Sequence, residues 1–137
     1  MYNKILIVAS NYYKNISDNL LEGATNNLKE NNFDYEIIYA PGCFEIPFLI
    51  NKNIDKYIGF ISLGCVIRGE TYHFEIIANE CGNKIMDLSI KYNKPIGFGI
   101  LTCETYEQAI IRSDPVNKNK GKEASSACMY LLKNEKT

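Results

Sequence analysis

The chain has 137 residues, of which 46% are hydrophobic and 23% are charged, and its 15 basic side chains nearly balance 16 acidic ones. These totals are typical of one soluble globular domain, which we predict to span residues 1–137. A formal net charge of -1 gives no electrostatic reason to bind nucleic acid or a membrane surface.

The cysteines indicate the redox compartment and argue against a metal site. No two of them form a C-x-x-C pair, and the chain has one histidine to assist them. Scattered thiols of this kind favour a reduced, cytoplasmic protein over a disulfide framework or a zinc site. The opening apolar run is also too short for a signal peptide or a membrane span. The cysteines are Cys43, Cys65, Cys81, Cys103 and Cys128.

The first half of the chain alternates strand and helix patterns. Lys4 to Ala9 is an almost continuous run of Ile and Val, which indicates a strand covered on both faces. A helix is predicted to begin with Ser17 as its N-cap. "YEIIYAPG" predicts a second strand that ends at Pro41, and a short helix with Pro47 in its first turn is predicted over 44–51. The apolar stripe of the first helix comprises Leu20, Leu21, Ala24 and Leu28.

The second half continues the alternation. "YIGFISLG" predicts a third strand and "PIGFGIL" a fourth, whose two glycines indicate that another segment approaches the backbone closely. Between them a long helix is predicted to end before Asn93. Thr105 to Gln108 resembles a capping box that opens a short helix through Ile111. The stripe of the long helix comprises Phe74, Ile77, Ala78, Cys81, Ile85 and Leu88, and that of the last helix comprises Ala124, Ala127, Cys128, Leu131 and Leu132.

Alternating covered strands and helices predict an α/β protein with a parallel sheet and helices on both faces. Ligands of such sheets bind beyond the carboxyl ends of the strands. Polar and aromatic residues follow the predicted strands there, among them the only histidine, His73. The segment "SNYYKNIS" lacks the glycines of a flavodoxin phosphate loop, and no aspartates follow the first and third strands as in a receiver domain.

Four segments then carry a specific resemblance: "PGCFEIP", "GCVIRGETYHFE", "KPIGFGILTCETYEQAIIR" and "NKGKEA". In this order they resemble the signatures of lumazine synthases, which make 6,7-dimethyl-8-ribityllumazine from 5-amino-6-ribitylaminouracil and 3,4-dihydroxy-2-butanone 4-phosphate. The resemblance implies a flavodoxin-like three-layer sandwich with a four-stranded parallel sheet and no cofactor or metal. It also implies pentamers, which some members assemble into a 60-subunit shell, with active sites between subunits.

The resemblance assigns roles to individual residues at the pyrimidine end. Tyr12 matches the aromatic residue that stacks on the ring, and Phe98 matches a second ring-binding residue from the neighbouring subunit. The segment that holds the ribityl chain is matched by Cys43, Phe44 and Glu45. The segment that contacts the uracil mainly through its backbone is matched by Cys65, Val66 and Ile67.

At the phosphate end, His73 matches the proton-transfer residue, which suits an imidazole with an ordinary pKa of about 6.5. Glu70 and Thr71 precede the long helix and offer backbone N–H groups to the phosphate. Arg112 matches the phosphate-binding arginine, and Lys120 matches a lysine near the site.

Departures from the family pattern leave alternatives open. Tyr13 stands where asparagine is common, Tyr72 replaces a smaller residue, and the loop 113–119 is poorer in glycine and lysine. Arg68 lies in the same segment as His73, and both a role in the site and a structural salt bridge remain open for it. The alternative functions are an archaeal-type riboflavin synthase and a non-catalytic, shell-forming or lumazine-binding protein.

Overall fold

The computed structural model describes residues 2–134, in which four parallel strands form one sheet. The order across the sheet is β2-β1-β3-β4. This is the order of the flavodoxin-like doubly wound fold, so the predicted fold class is confirmed. Met1 and residues 135–137 of the predicted domain lie outside the described residues. The strands are β1 (Tyr2–Ser10), β2 (Tyr35–Ala40), β3 (Tyr57–Ile67) and β4 (Ile96–Cys103).

Helices cover both faces of the sheet, which makes three layers. Three helices enclose one apolar core with the sheet, and two helices enclose a second core on the opposite face. The first group is α1 (Lys14–Glu30), α4 (Tyr106–Ser113) and α5 (Lys120–Asn134). The second group is α2 (Ile46–Lys52) and α3 (His73–Tyr92).

The position of β1 inside the sheet, between β2 and β3, explains why its sequence is continuously apolar. Successive side chains of a strand point to opposite faces, and both faces of this sheet are covered. Ile5, Ile7 and Ala9 accordingly lie in the core beneath α1 and α5. Leu6 and Val8 lie in the core beneath α2 and α3. All five side chains are fully buried.

The two glycines of β4 have the structural use that the sequence predicts. A Cβ on Gly97 would collide with the backbone carbonyl of Ala124 in α5. A Cβ on Gly99 would lie 2.7 Å from Leu63 Cδ2 and 2.9 Å from Ala124 Cβ. The missing side chains therefore let α5 pack directly on the sheet.

Helix α1 begins earlier than predicted. It starts at Lys14, with the extended residue Tyr13 as N-cap, because the Tyr13 carbonyl already accepts a 2.9 Å hydrogen bond from the N–H of Ser17. Ser17 therefore lies inside the helix, where its buried hydroxyl has no partner among the described residues. Asp18 pairs with Lys14 at 2.8 Å. The prediction of Ser17 as the cap was wrong because the helix already begins four residues after the end of β1 at Ser10, which leaves Ser17 within the first turn.

The buried face of α5 also differs from the predicted stripe. Ala127 and Leu131 are exposed, whereas Ser125 and Met129 are buried. The small residues Gly121 and Ser125 face inward because α1 packs closely on this helix. A pattern based on apolar residues alone cannot identify a contact face built from glycine and serine.

Candidate active site

A cleft of about 600 Å³ opens beyond the carboxyl ends of β1, β2 and β3, beside the first turns of α3. The chain passes from β1 to β2 on one side and then crosses to β3 on the other side of β1, so the cleft lies at the switch point where α/β sheets bind ligands. A volume of this size suits a small organic molecule. The lining residues are Tyr12, Tyr13, Pro41, Gly42, Cys43, Phe44, Glu45, Cys65, Val66, Ile67, His73, Ile76 and Ile77.

Strand β3 presents one side of its backbone to the cleft. Its pairing with β1 ends at Ala9 opposite Leu63, whereas its pairing with β4 continues to Ile67 opposite Cys103. Residues 64–67 therefore have β4 on one side and the cleft on the other. The sequence predicted this strand only as far as Gly64, so the extension that forms the cleft wall was missed.

The floor of the cleft is closely packed around Gly64. A Cβ on Gly64 would lie 2.6 Å from Cys43 Sγ and 3.2 Å from Ser10 Cβ, so this position has no room for a side chain. Burial raises the pKa of Cys43 to about 11 and that of Cys65 to about 12. Both thiols are therefore protonated near neutral pH, and they serve as small apolar groups of the floor.

Tyr12 and Tyr13 form one wall of the cleft. Tyr12 is 72% exposed, and its ring meets the ring of Tyr13 edge-on, with centroids 4.9 Å apart. Tyr13 also contacts Tyr106 of α4, with centroids 6.3 Å apart. Burial raises the pKa of Tyr13, and Tyr12 and the Cys65 thiol raise it further. Tyr13 therefore lies beneath Tyr12 and supports it, while one face of the Tyr12 ring stays accessible.

His73 is the first residue of α3 and also lines the cleft. Its backbone N–H donates a 3.3 Å hydrogen bond to the Thr71 hydroxyl. Ile76 and Ile77 follow it on the same helical face and also line the cleft. Neither isoleucine was assigned to the site, although their i+3 and i+4 spacing from His73 was a signal that could have identified them.

The structure brings together eight of the residues that the resemblance assigns to the substrate, and their roles stay predictions. They come from three parts of the chain, which lie at or just beyond the carboxyl ends of β1, β2 and β3. They are Tyr12, Cys43, Phe44, Glu45, Cys65, Val66, Ile67 and His73.

Other predicted site residues lie outside the cleft. Glu70 and Thr71 are exposed in the loop before α3. Arg112 is half-buried on α4, where its guanidinium donates a 3.2 Å hydrogen bond to the Gln108 carbonyl. Burial raises the pKa of Cys103 at the end of β4, and the nearby Arg112 opposes that rise. Arg112 therefore lies close to the carboxyl edge of the sheet, on the side of β4.

Phe98 and Lys120 are more distant from the cleft. Phe98 is 48% exposed on the edge strand β4, where it lines an apolar groove with Gly82, Met86 and Leu131. Lys120 opens α5 and pairs with Glu123 at 3.0 Å. In a single chain, therefore, neither residue belongs to the cleft.

Within residues 2–134, no cluster of three or more His, Cys, Asp or Glu side chains is arranged to hold a metal ion. In the same part of the chain, no helix has the length and apolarity needed to cross a membrane.

Comparison with known proteins gives a consistent result. The 6,7-dimethyl-8-ribityllumazine synthase family matches residues 3–136. A 6,7-dimethyl-8-ribityllumazine synthase of Bartonella tribocorum is 47% identical, over 94% of this chain and 89% of the relative. The protein of the same name from Agrobacterium fabrum is 42% identical, over 96% of this chain and 94% of the relative. Another from Paramagnetospirillum magneticum is 37% identical, over 94% of this chain and 92% of the relative.

Proposed function

The chain belongs to the 6,7-dimethyl-8-ribityllumazine synthase family, and from this membership we propose how its cleft performs the family's reaction. The chain is a transferase of riboflavin biosynthesis. It condenses 5-amino-6-(D-ribitylamino)uracil with (S)-3,4-dihydroxy-2-butanone 4-phosphate and releases phosphate and water. Since the relatives compared above carry the name of this synthase, they do not favour riboflavin synthase or a non-catalytic protein.

The pyrimidine is proposed to bind between Tyr12 and the free side of β3. The accessible face of Tyr12 can stack on the flat ring, which contributes about 0.5–1.5 kcal/mol beyond the area buried. The backbone N–H and C=O groups of residues 65–67 can pair with the polar edge of a uracil, as one strand pairs with another. Glu45, exposed at the start of α2, can accept hydrogen bonds from ribityl hydroxyls.

The phosphate is proposed to bind Arg112 together with the backbone N–H groups at the start of α3. Three cations are candidates for the phosphate, and their ion-pair partners distinguish them. Arg68 is paired with two glutamates and Lys120 with Glu123. Arg112 forms no ion pair within residues 2–134, so its guanidinium is available for a bidentate contact. Thr71 and its neighbours offer N–H groups that suit an anion.

His73 is proposed to move protons during imine formation, phosphate elimination and ring closure. It lines the cleft and is itself the first residue of α3, so we propose that one imidazole serves steps at both substrates. The larger share of the rate enhancement is proposed to come from holding amine and ketone in contact. No step of this chemistry requires a cofactor.

The active form is proposed to be a homopentamer, alone or as part of a 60-subunit shell, with sites shared between subunits. The support is the position of Phe98: it lies on an open sheet edge beside exposed Met86, Ile90 and Leu131, outside the cleft of its own chain. A contiguous apolar surface of this kind is typical of a protein contact. Sedimentation velocity would test the assembly. A Phe98→Ser variant that stays assembled but binds pyrimidine normally would contradict the shared site.

We also propose that the protein acts in the cytoplasm as a single domain. The five cysteines are all free and buried, which suits a reducing compartment. Two closed cores on one sheet support a single folding unit.

The observation that carries the proposal is the convergence of eight assigned residues on one cleft. The direct test mixes the purified protein with both substrates and follows lumazine fluorescence and phosphate release together. Equal yields of the two products are expected. Pyrimidine binding without phosphate release would favour the non-catalytic alternative, and conversion of lumazine to riboflavin would favour riboflavin synthase.

A further inference from the structure

Arg68 joins three elements at the rim of the cleft. Its backbone N–H donates a 2.9 Å hydrogen bond to the Cys103 carbonyl at the end of β4. Its side chain pairs with Glu104 at 2.7 Å and with Glu75 in the first turn of α3. The guanidinium carbon also lies 4.5 Å from the centroid of the Phe74 ring. We name Arg68, Phe74, Glu75 and Glu104 the Arg68 cluster.

The cluster fixes both ends of a segment that has little packing of its own. Residues 69–73 are exposed, and a Cβ on Gly69 would have no neighbour within 4 Å. This segment holds His73 and the N–H groups assigned above to the phosphate. Its position therefore depends on the two anchors that flank it, which are Arg68 on one side and Phe74 with Glu75 on the other.

Glu75 depends on Arg68 in turn. Hydrogen bonding to Arg68 lowers the pKa of Glu75, and its second carboxylate oxygen is buried without a partner among residues 2–134. Without the guanidinium this half-buried carboxylate would have no cation beside it. It would then move toward water and carry the first turn of α3 with it.

We propose that Arg68 is a positioning residue, which sets the place of His73 and of the phosphate-binding start of α3 by holding Glu75 and Glu104 together. The inference rests on the proposed function, because it concerns the binding of the butanone phosphate. It assigns Arg68 no contact with the substrate. The two carboxylates already occupy the Nε and Nη1 sides of the guanidinium, which leaves a poor site for a phosphate.

The test compares three variants in steady-state kinetics with both substrates. Arg68→Met removes the cation but keeps an unbranched apolar chain over Phe74. Glu104→Gln weakens one arm of the cluster at an exposed position, so it leaves the fold intact. Lys4→Met is the matched control, since Lys4 forms a similarly exposed ion pair with Glu36 at the opposite end of the sheet.

Arg68→Met is expected to raise KM for the butanone phosphate about 10-fold and to lower kcat, because displacement of a reacting group by about 1 Å can cost up to 100-fold in rate. KM for the pyrimidine should change less than 2-fold. The double variant Arg68→Met/Glu104→Gln should be no worse than Arg68→Met, since both changes break one unit. Lys4→Met should match the parent protein.

The sign of the Glu104→Gln effect separates positioning from direct binding. A positioning role predicts a higher KM for the butanone phosphate, because the cluster is loosened. If Arg68 instead bound the phosphate directly, removal of the Glu104 carboxylate would free its guanidinium for that contact. An unchanged or lower KM for the butanone phosphate would therefore overturn the proposal. Normal turnover by Arg68→Met would also overturn it and leave the proposed function intact. Absence of product with the parent protein would instead contradict the function itself.

Discussion

A methyl group added at Gly64 tests whether the cleft floor is as closely packed as described. The new Cβ would lie 2.6 Å from Cys43 Sγ, 3.2 Å from Ser10 Cβ and 3.7 Å from Ile46 Cδ1. Apolar atoms pack best at about 3.5–4.0 Å, so the sulfur would be roughly 1 Å too close. Overpacking of this kind costs about 1–3 kcal/mol. For a domain of this size, the Tm of Gly64→Ala should fall by roughly 4–12 °C.

Two further variants isolate the cause. Gly64→Ala/Cys43→Ala removes the colliding sulfur, so it should be more stable than Gly64→Ala alone despite carrying one more core truncation. Gly69→Ala provides the matched glycine control, because its Cβ would have no neighbour within 4 Å and no described glycine has a positive φ. It should change Tm little or raise it slightly.

The assay is thermal unfolding followed by circular dichroism at one fixed protein concentration, since association of subunits makes the midpoint concentration-dependent. Activity should fall together with stability in Gly64→Ala, because Cys43 moves with the segment that carries Glu45. Equal Tm values for Gly64→Ala and the double variant would refute the collision. An equally large fall in the Tm of Gly69→Ala would refute the reasoning that the space around each glycine determines the effect of an added Cβ.

Four other predictions concern the site itself. His73→Ala should slow kcat by roughly 10–100-fold in single-turnover assays, and complete inactivity of a correctly assembled variant would contradict a rate built mainly on positioning. Arg112→Ala should raise KM for the butanone phosphate far more than KM for the pyrimidine, whereas equal effects would remove Arg112 from the phosphate role. Tyr13→Asn should weaken pyrimidine binding about 2- to 10-fold in calorimetry, because Tyr12 loses its edge-on neighbour. Tyr13→Phe keeps the ring and should leave the affinity unchanged. Equal losses of affinity in the two variants would contradict the supporting role of Tyr13. Burial raises the pKa of Cys43 to about 11 and that of Cys65 to about 12, so the folded state retains these protons more tightly than the unfolded chain. The free energy of unfolding should therefore decline above about pH 9, where the thiols of the unfolded chain ionise. Iodoacetamide should label neither thiol at pH 8, and rapid labelling would contradict this prediction.

The sequence predicted the order of elements because most of them were bounded by clear signals. The Pro41-Gly42 pair after β2 and Asn93 after α3 coincide with observed boundaries, and the apolar run Lys4 to Ala9 lies within β1. Asn93 adopts a left-handed conformation, as is common where a helix stops. The predicted cap of α4 was found in part: the Thr105 hydroxyl accepts a hydrogen bond from the N–H of Gln108, whereas the Gln108 side chain accepts one from the N–H of Glu104.

The errors arose where tertiary contacts decide the outcome. Ser17 has the chemistry of a cap, yet the distance between β1 and α1 gives that position to Tyr13. The buried side of α5 depends on how closely α1 approaches Gly121, and the spacing of apolar residues in the sequence does not predict that approach. Ile76 lines the cleft because α3 begins beside it, and the i+3 spacing from His73 was the signal in the sequence that was not used.

The candidate site was predictable in its residue types but only partly in its geometry. The strand-end rule gathered Tyr12, Glu45 and His73 at one rim without any knowledge of relatives. The assignments of Arg112 and Phe98 came from the resemblance alone, because an arginine on a helix and a phenylalanine on a strand are common in any protein. The position of Phe98 outside its own cleft becomes meaningful only when a second subunit is considered.

The contact between α1 and α5 has a consequence for the nascent chain. The Asn27 amide of α1 donates hydrogen bonds to Ser125 at 2.8 Å and Ser126 at 2.9 Å, almost a hundred residues later in the sequence. The inner side of α1 and one face of the sheet thus stay open to water until α5 has left the ribosome. At about 5–20 residues per second, that interval lasts roughly 5–20 s after α1 is made. For that time the surfaces of α1 and of the sheet that α5 covers in the folded protein lack this helix, so the core beneath α1 and α5 can close only after α5 is made.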